Sequence, residues 1–215
     1  MNSSDSHVMQ RLAELGAATV YEAHGQTGAI DPRIKPLDPA TRLAGRALTV
    51  KIDPADNWFL HVAVLKGGPG DVLVVDIGGY VEAGPWGDVL TLAAQQRGIA
   101  GIVIDGAVRD SRDIVESGFP AFSRGVCIRR TTKKQVGEIN VPVTIGGVQV
   151  NPGDIIIGDG DGLVRIGSEE GEAALASAEA REAKEIEQRK QLREGARTLD
   201  LLGLPWPESV PKSLG

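Results

Sequence analysis

Three charged residues are spaced as a small active site would space them. Asp88 follows the stretch GPWG, and after a further 20 residues stands the pair Arg109-Asp110. A guanidinium offers a fork of donors that matches a carboxylate or an oxyanion. Two carboxylates beside it suit a hard divalent cation, because Mg2+ takes one or two protein carboxylates and keeps several waters. The glycines of GPWGDVL (84–90) let backbone approach a ligand closely. A helix opening there presents free N–H groups to an anion. The chemistry on offer is recognition of a small anionic substrate chelated to a cation. The same residues also serve plain structure. Asp88 suits the first turn of a helix through the dipole, and Arg109-Asp110 suits a solvated ion pair at the start of the next helix.

The elements that must position these residues are legible in outline. GDVLVVDIGG (70–79) is a nearly continuous apolar run that reads as a buried strand. Residues 88–97 read as a helix ended by Gly98, GIVIDG (101–106) as a second buried strand, and DSRDIVESG (110–118) as a short helix. That order predicts a βαβ unit with a parallel sheet and a right-handed crossover. In such a unit a helix start and the end of the following strand fall on the same sheet edge, so Asp88, Arg109 and Asp110 should converge.

Upstream, residues 1–6 are polar and expected to fray, and helical patterning covers about 7–15 and 17–24. TGAIDPRIKPLDP is broken by prolines, GRALTVKI (45–52) suits a strand and 56–68 a helix. After residue 120, short β-branched runs are punctuated by Gly-Gly, Asn-Pro-Gly and Asp-Gly, which signals antiparallel or swivelling strands. Ser168 is expected to cap a long helix, with Glu169 and Glu170 in its first turn, running to about Glu194. Its apolar positions are few (Leu175, Ala178, Ile186, Leu192), so it is expected to lie along a neighbouring subunit. The tail LLGLPWPESVPKSLG carries apolar residues without a helical period and is expected to pack on another protomer.

Composition narrows the class. The 215 residues suffice for one domain with a real core, and no domain boundary is evident. The net charge of −6 argues against broad nucleic-acid binding, though not against a local anion site. The single cysteine, Cys127, excludes an intrachain disulfide framework and fits a reducing compartment. MNSSDSHVMQRLAELG lacks a basic stretch followed by an apolar run, so no secretory signal is expected. No apolar stretch approaches the roughly 20 residues that span a bilayer. These features together predict a cytoplasmic protein.

GGYVEAGPWGDVL, GIAGIVIDGAVRD and VNPGDIIIGDGDGLVRI resemble the family of the regulator of ribonuclease activity A and the class II pyruvate aldolases, over roughly residues 15–167. The aldolase branch is marked by an Asp, 20 residues, then Arg-Asp, which Asp88, Arg109 and Asp110 match without a gap. The resemblance implies an α/β fold, an αββα sandwich of the swivelling phosphohistidine-domain type, forming one domain over 1–215 with a long C-terminal helix and tail (168–215). It implies homotrimers or hexamers with sites between subunits, and Mg2+ or Mn2+ as cofactor. Asp110 would ligate the metal directly and Asp88 through a water. Main-chain N–H groups around Gly87, Val89 and Leu90 would hold a pyruvate carboxylate, and Arg109 would stabilise an enolate oxygen. The reactions implied are pyruvate release from a 4-hydroxy-2-oxo acid (4-hydroxy-4-methyl-2-oxoglutarate or 4-carboxy-4-hydroxy-2-oxoadipate) and decarboxylation of oxaloacetate. The alternative is a non-catalytic regulator of a ribonuclease, a branch that lacks the acid present here as Asp110. The chain departs from the dedicated aldolases at EGARTLD (194–200), where Ala196 follows Gly195 in place of a glutamate. A methyltransferase, a third label used in the family, would need a strand-GxGxG site that is not found.

Other residues carry weaker signals. Glu22 stands where the family has an acid near the site, and is otherwise a surface helical residue. His24 suits the C-terminus of its helix, and His61, among Trp58, Leu60 and Val64, suits a core or interface. Asn57 and Lys66 show no partner. Asp105 would either orient Arg109 or cap a turn. Arg129, Arg130, Lys133 and Lys134 read as a solvated basic face, GDGDG (158–162) as a tight turn, and Cys127 has no histidine at nucleophile spacing.

Overall fold

The computed structural model describes residues 3–211. Two units are distinguished, one through Ala178 and one from Glu179. In the first, helices α1 (Ser3–Leu15) and α2 (Ala17–Ala23) precede strands β1 (Lys35–Pro36) and β2 (Leu43–Ile52). Then come α3 (Trp58–Lys66), β3 (Asp71–Asp76), α4 (Asp88–Gln96), β4 (Gly101–Val108), α5 (Ser111–Glu116) and β5 (Ala121–Val126). The strands β6 (Gly137–Ile139), β7 (Val143–Ile145), β8 (Val148–Val150), β9 (Ile155–Gly158) and β10 (Leu163–Ile166) follow, and then the long helix α6 (Gly171–Arg193), within which the unit boundary falls.

The main sheet is ordered β1-β5-β4-β3-β2-β9-β10, with β6 also paired to β2. The run β2, β3, β4, β5 is parallel throughout, so the predicted βαβ unit around α4 is borne out and is flanked by one more on each side. Parallel neighbours need a crossover, and α3, α4 and α5 supply them. All three pack on one face, where Leu60 and Val64, Leu90 and Ala94, and Ile114 meet Leu73, Val75, Ile102 and Ile104. The β7-β8 hairpin contributes Val143, Ile145 and Val150 to a second cluster with Val74, Val103 and Phe122. A third cluster joins α1, α2 and the first two turns of α6 to β9 and β10. The observed class is a mixed α/β fold with a long C-terminal helix.

Strands β9 and β10 are antiparallel around the GDGDG turn. Its Asp159 accepts the Asp161 N–H, at 2.9 Å, and the N–H of Ala17 at the start of α2, at 2.8 Å. Two expectations are corrected. Helix α1 starts at Ser3, inside the stretch expected to fray, and its Asp5 carboxylate pairs with Arg46 of β2 at 2.8 Å. Helix α6 starts at Gly171, not at Ser168, because the Glu170 carboxylate turns back to accept the N–H of Gly167 at 2.9 Å. In the unit from Glu179, α6 is laced by Arg181–Glu185 at 3.1 Å and Arg189–Glu185 at 2.6 Å, and Ile186 and Leu192 are exposed. A short helix, α7 (Thr198–Leu201), follows and ends at the first residue of the tail that carries no helical period. Residues 212–215 of the tail lie outside the described residues.

Candidate active site

The end of β4 is where the chemistry-bearing residues gather. β3 stops at Asp76, opposite Asp105, while β4 runs on to Val108. The vacated flank is taken by Trp86, which bridges in parallel to Val108, and the N–H of Arg109 donates to the Trp86 carbonyl at 2.8 Å. Trp86 is fully buried, stacks on Phe119 at 6.0 Å between centroids, and donates its indole N–H to Thr91 at 2.8 Å. The Trp86 main chain therefore fixes the loop 84–87 to the strand it borders, and its side chain fixes it to the helix it feeds.

Glycines in this loop are there for space. A Cβ on Gly84 would lie 2.5 Å from the Cys127 carbonyl oxygen and 2.8 Å from Arg109 Cβ. A Cβ on Gly87 would lie 2.4 Å from Asp110 Oδ2 and 3.2 Å from Arg109 Nε. Gly87 has φ −153°, extended backbone that any residue adopts, so the requirement there is room for the Arg109-Asp110 pair.

Asp110 adopts the left-handed conformation, φ 54° and ψ 38°, which Asp tolerates better than most residues with a Cβ. It precedes α5 in the N-cap position, yet its carboxylate makes no cap to that helix. Instead Oδ2 lies 3.3 Å from Arg109 Nε and 3.4 Å from the main-chain nitrogen of Asp88. The convergence expected from the 20-residue interval is thus present. Arg109 and Asp110 are partly exposed, Asp88 is exposed, and α4 opens beside them without a side-chain cap on Gly87. The leading N–H groups of a helix have no intrahelical acceptor, so those at Val89 and Leu90 are oriented for an anion.

A cavity of about 210 Å3 opens here, lined by Gly87, Asp88, Val89, Leu90 and Arg109 and by Asn57, His61 and Lys133. Among the described residues no three His, Cys, Asp or Glu side chains are grouped to hold a metal ion. The donors that could hold one are Asp110 and Asp88, a set suited to a water-rich hard cation such as Mg2+.

Some placements differ from expectation. Asp105 does not orient Arg109. It pairs with Arg124 Nε on β5 and accepts the Gly146 N–H at 2.8 Å, because in the parallel register it points to the face that carries the β7-β8 hairpin. Lys133 is not merely solvated, since its ammonium donates to Asn57 Oδ1 at 2.9 Å. Asn57, for which no partner was evident, also donates to the Pro85 carbonyl at 3.1 Å. His61 is half-buried on the cavity wall, its Nε2 buried without a partner among the described residues. Burial, and then the nearby Lys133 charge, pull its pKa below the ordinary value. His24 ends α2 with Nε2 3.6 Å from the Glu170 carboxylate. Glu22 is exposed on α2, which packs at the β10 edge, and does not line the cavity. Ala196 lies in the unit from Glu179, its N–H bonded to the Gln191 carbonyl at 3.0 Å.

The fold and this sheet edge define a mixed α/β protein in which an uncapped helix start lies beside an Arg-Asp pair. The chain belongs to the RraA-like family, whose model, described as Aldolase/RraA, matches residues 17–165. A protein of Halalkalibacterium halodurans named "Putative 4-hydroxy-4-methyl-2-oxoglutarate aldolase" is 40% identical over 150 residues, 70% of this chain and 71% of that protein. An uncharacterized protein from Pseudomonas syringae has a similar structure, with TM-score 0.82 and 28% identity over 91% of this chain and 92% of that one. The RNA-processing inhibitor RraA from Thermus thermophilis aligns with TM-score 0.65 and 30% identity over 69% and 90%.

Proposed function

We propose that the protein is a divalent-metal-dependent carbon-carbon lyase that releases pyruvate from a 4-hydroxy-2-oxo acid and decarboxylates oxaloacetate through a shared pyruvate enolate. The observation that carries this reading is the joint approach of Asp110 Oδ2 to Arg109 Nε, at 3.3 Å, and to the Asp88 nitrogen, at 3.4 Å. It brings a guanidinium, a helix start and the Asp110 carboxylate together, with Asp88 exposed at that helix start.

Asp110, with Asp88 through water, would hold Mg2+ or Mn2+, and such an ion when bound supplies Lewis-acid polarisation of a 2-oxo group. The protein's own groups do the rest. Main-chain N–H groups at Gly87, Val89 and Leu90 receive the pyruvate carboxylate. Arg109 faces the oxygen on which charge develops as the C–C bond breaks, where a fixed cation is most effective. Asp88 orders the water that accepts the 4-hydroxyl proton in aldol cleavage. Decarboxylation needs no such base, so Ala196, standing where dedicated aldolases carry a glutamate, bears on the aldol reaction more than on this one. Glu22 is a further candidate for the site, supplied from a neighbouring subunit.

Exposed apolar side chains on the helices beside the cavity, Leu65 of α3 and Val89 and Leu92 of α4, support a homotrimer or hexamer that closes the site. No helix among the described residues is long and apolar enough to cross a membrane, and we place the protein in the cytoplasm with no nucleic-acid partner. The second reading, a regulator that binds a ribonuclease, draws support from the likeness to the RNA-processing inhibitor. Pyruvate release measured over a panel of 2-oxo acids, with Mg2+ and with EDTA, separates the two. The lyase reading requires metal-dependent release. Its absence, together with a stable complex with a ribonuclease, would favour the regulator.

A further inference from the structure

Two arginines that the proposed reaction does not use line a different cavity. It is open, encloses about 640 Å3, and is lined by Arg33, Gly79, Val81 and Arg124. Arg33 precedes β1, Gly79 and Val81 stand in the loop after β3, and Arg124 lies on β5. The carboxylates beside these arginines are spent on the protein itself. Asp31 accepts Arg33 Nε and Arg124 Nη1, each at 3.0 Å, and the main-chain N–H of Arg33 at 2.9 Å. Asp105 takes Arg124 Nε on one oxygen and the Gly146 N–H, at 2.8 Å, on the other. The Arg33 side chain and N–H hold the Asp31 pKa well below the ordinary value, so this carboxylate stays charged at neutral pH.

A guanidinium carries five N–H groups. Arg33 spends Nε and Nη2 on Asp31, and Arg124 spends Nε on Asp105 and Nη1 on Asp31. Arg33 Nη1 and Arg124 Nη2 have no hydrogen-bond partner among the described residues. The Arg124 side chain is only 14% exposed, so bulk water serves its remaining donors poorly. A planar carboxylate accepts from such forks through both of its oxygens. Two aspartates already balance the two arginines, so the cavity suits a ligand with one negative charge better than a dianion. Val81, half-exposed, adds apolar surface on which a short carbon chain can rest.

We propose that this cavity is a second binding site, for the carboxylate of a small aliphatic monoacid, held between Arg33 and Arg124 with its carbon chain on Val81. The assignment does not rest on the lyase reading, since it uses no residue of the catalytic cavity.

The test uses butyrate, which has no 2-oxo group with which to chelate a metal at Asp110. Its binding to the full chain in EDTA is followed by saturation-transfer NMR, with inorganic phosphate as the competing ligand. Butyrate should bind saturably, in the millimolar range, and phosphate should displace it poorly. Arg33→Ala should weaken butyrate about 10-fold, the scale of one charge-assisted hydrogen bond, while Arg109→Ala leaves it unchanged. Arg33 is 79% exposed and Arg124 still holds Asp31 in its absence, so the fold should survive, which a thermal melt checks. Val81→Asp, at a position outside the aspartate pairs, should weaken butyrate by repulsion. Absence of saturable binding, an equal loss in Arg109→Ala, or unchanged affinity in Arg33→Ala and Val81→Asp overturns the assignment. Phosphate binding more tightly than butyrate overturns the monocarboxylate as its ligand. A protein that binds butyrate here but never releases pyruvate would contradict the lyase reading alone.

Discussion

Asp110 reaches back across the end of β4 to within 3.4 Å of the main-chain nitrogen of Asp88, 22 residues earlier in the chain. An aspartate in an N-cap position ordinarily serves its own helix. This one takes a left-handed backbone and serves the start of another, while Arg109 lies 3.3 Å from the same oxygen. A non-glycine residue held in that region costs on the order of 1–3 kcal/mol, and such residues cluster at functional sites. Asp110→Asn should therefore leave the fold intact and cut pyruvate release by about 100-fold or more, the scale of removing one preorganised electrostatic group. Steady-state kinetics beside a circular-dichroism melt check both halves.

Gly87→Ala tests the close approach. The added Cβ would sit 2.4 Å from Asp110 Oδ2, so the carboxylate must move although the backbone need not. A displacement near 1 Å in an active site costs up to about 100-fold in rate. A loss of this order in kcat/KM, with a melting temperature within a few degrees of wild type, is the expected outcome.

Trp86→Ala should be destabilising. It removes a fully buried indole, its stacking on Phe119 and its hydrogen bond to Thr91. Large-to-small changes of this kind cost about 3–5 kcal/mol. Urea denaturation should show this loss, and activity should fall as well, because the indole ties the loop 84–87 to Thr91 of α4, the helix that opens at Asp88.

Acid should loosen the rim that carries Lys133. Burial alone would raise the Asp56 pKa, but the N–H groups of Lys134 and Trp58, the Thr132 hydroxyl and the Lys133 charge outweigh it and hold the pKa below the ordinary value. A carboxyl depressed in the folded state contributes stability above its unfolded pKa of about 3.9, and that contribution is lost as pH falls through the folded value. Urea midpoints for wild type and Asp56→Asn, taken from pH 6 down to pH 2, should differ most at pH 6 and converge in acid. A difference independent of pH would refute the assignment.

The convergence of Asp88, Arg109 and Asp110 was readable because its geometry is local. One helix and one strand between Asp88 and Arg109 return the chain to the same edge, and the parallel β3-β4 pairing bears that out. What escaped were partners distant in sequence. Asp105 lies 19 residues from Arg124, on the adjacent strand, and the β4-β5 register shifts between Ile104 and Ala107, so nothing in the linear order pairs them. Lys133 and Asn57 meet only because Asp56 fastens a loop to the start of α3. The start of α6 was misplaced because Glu170 folds back on Gly167, where a helix capped by Ser168 would have pointed it outward. Periodicity reports such contacts no more than it reports the left-handed turn at Asp110.

The central claim is that Asp88, Arg109 and Asp110 form a site that generates a pyruvate enolate. Exchange of the pyruvate methyl protons, followed by proton NMR in D2O with Mg2+, reads this step without any assumption about the rest of the substrate. The wild-type protein should exchange well above the buffer rate, and EDTA or Asp110→Ala should return exchange to background. Wild-type exchange at the buffer rate, or undiminished exchange in Asp110→Ala, would contradict the claim.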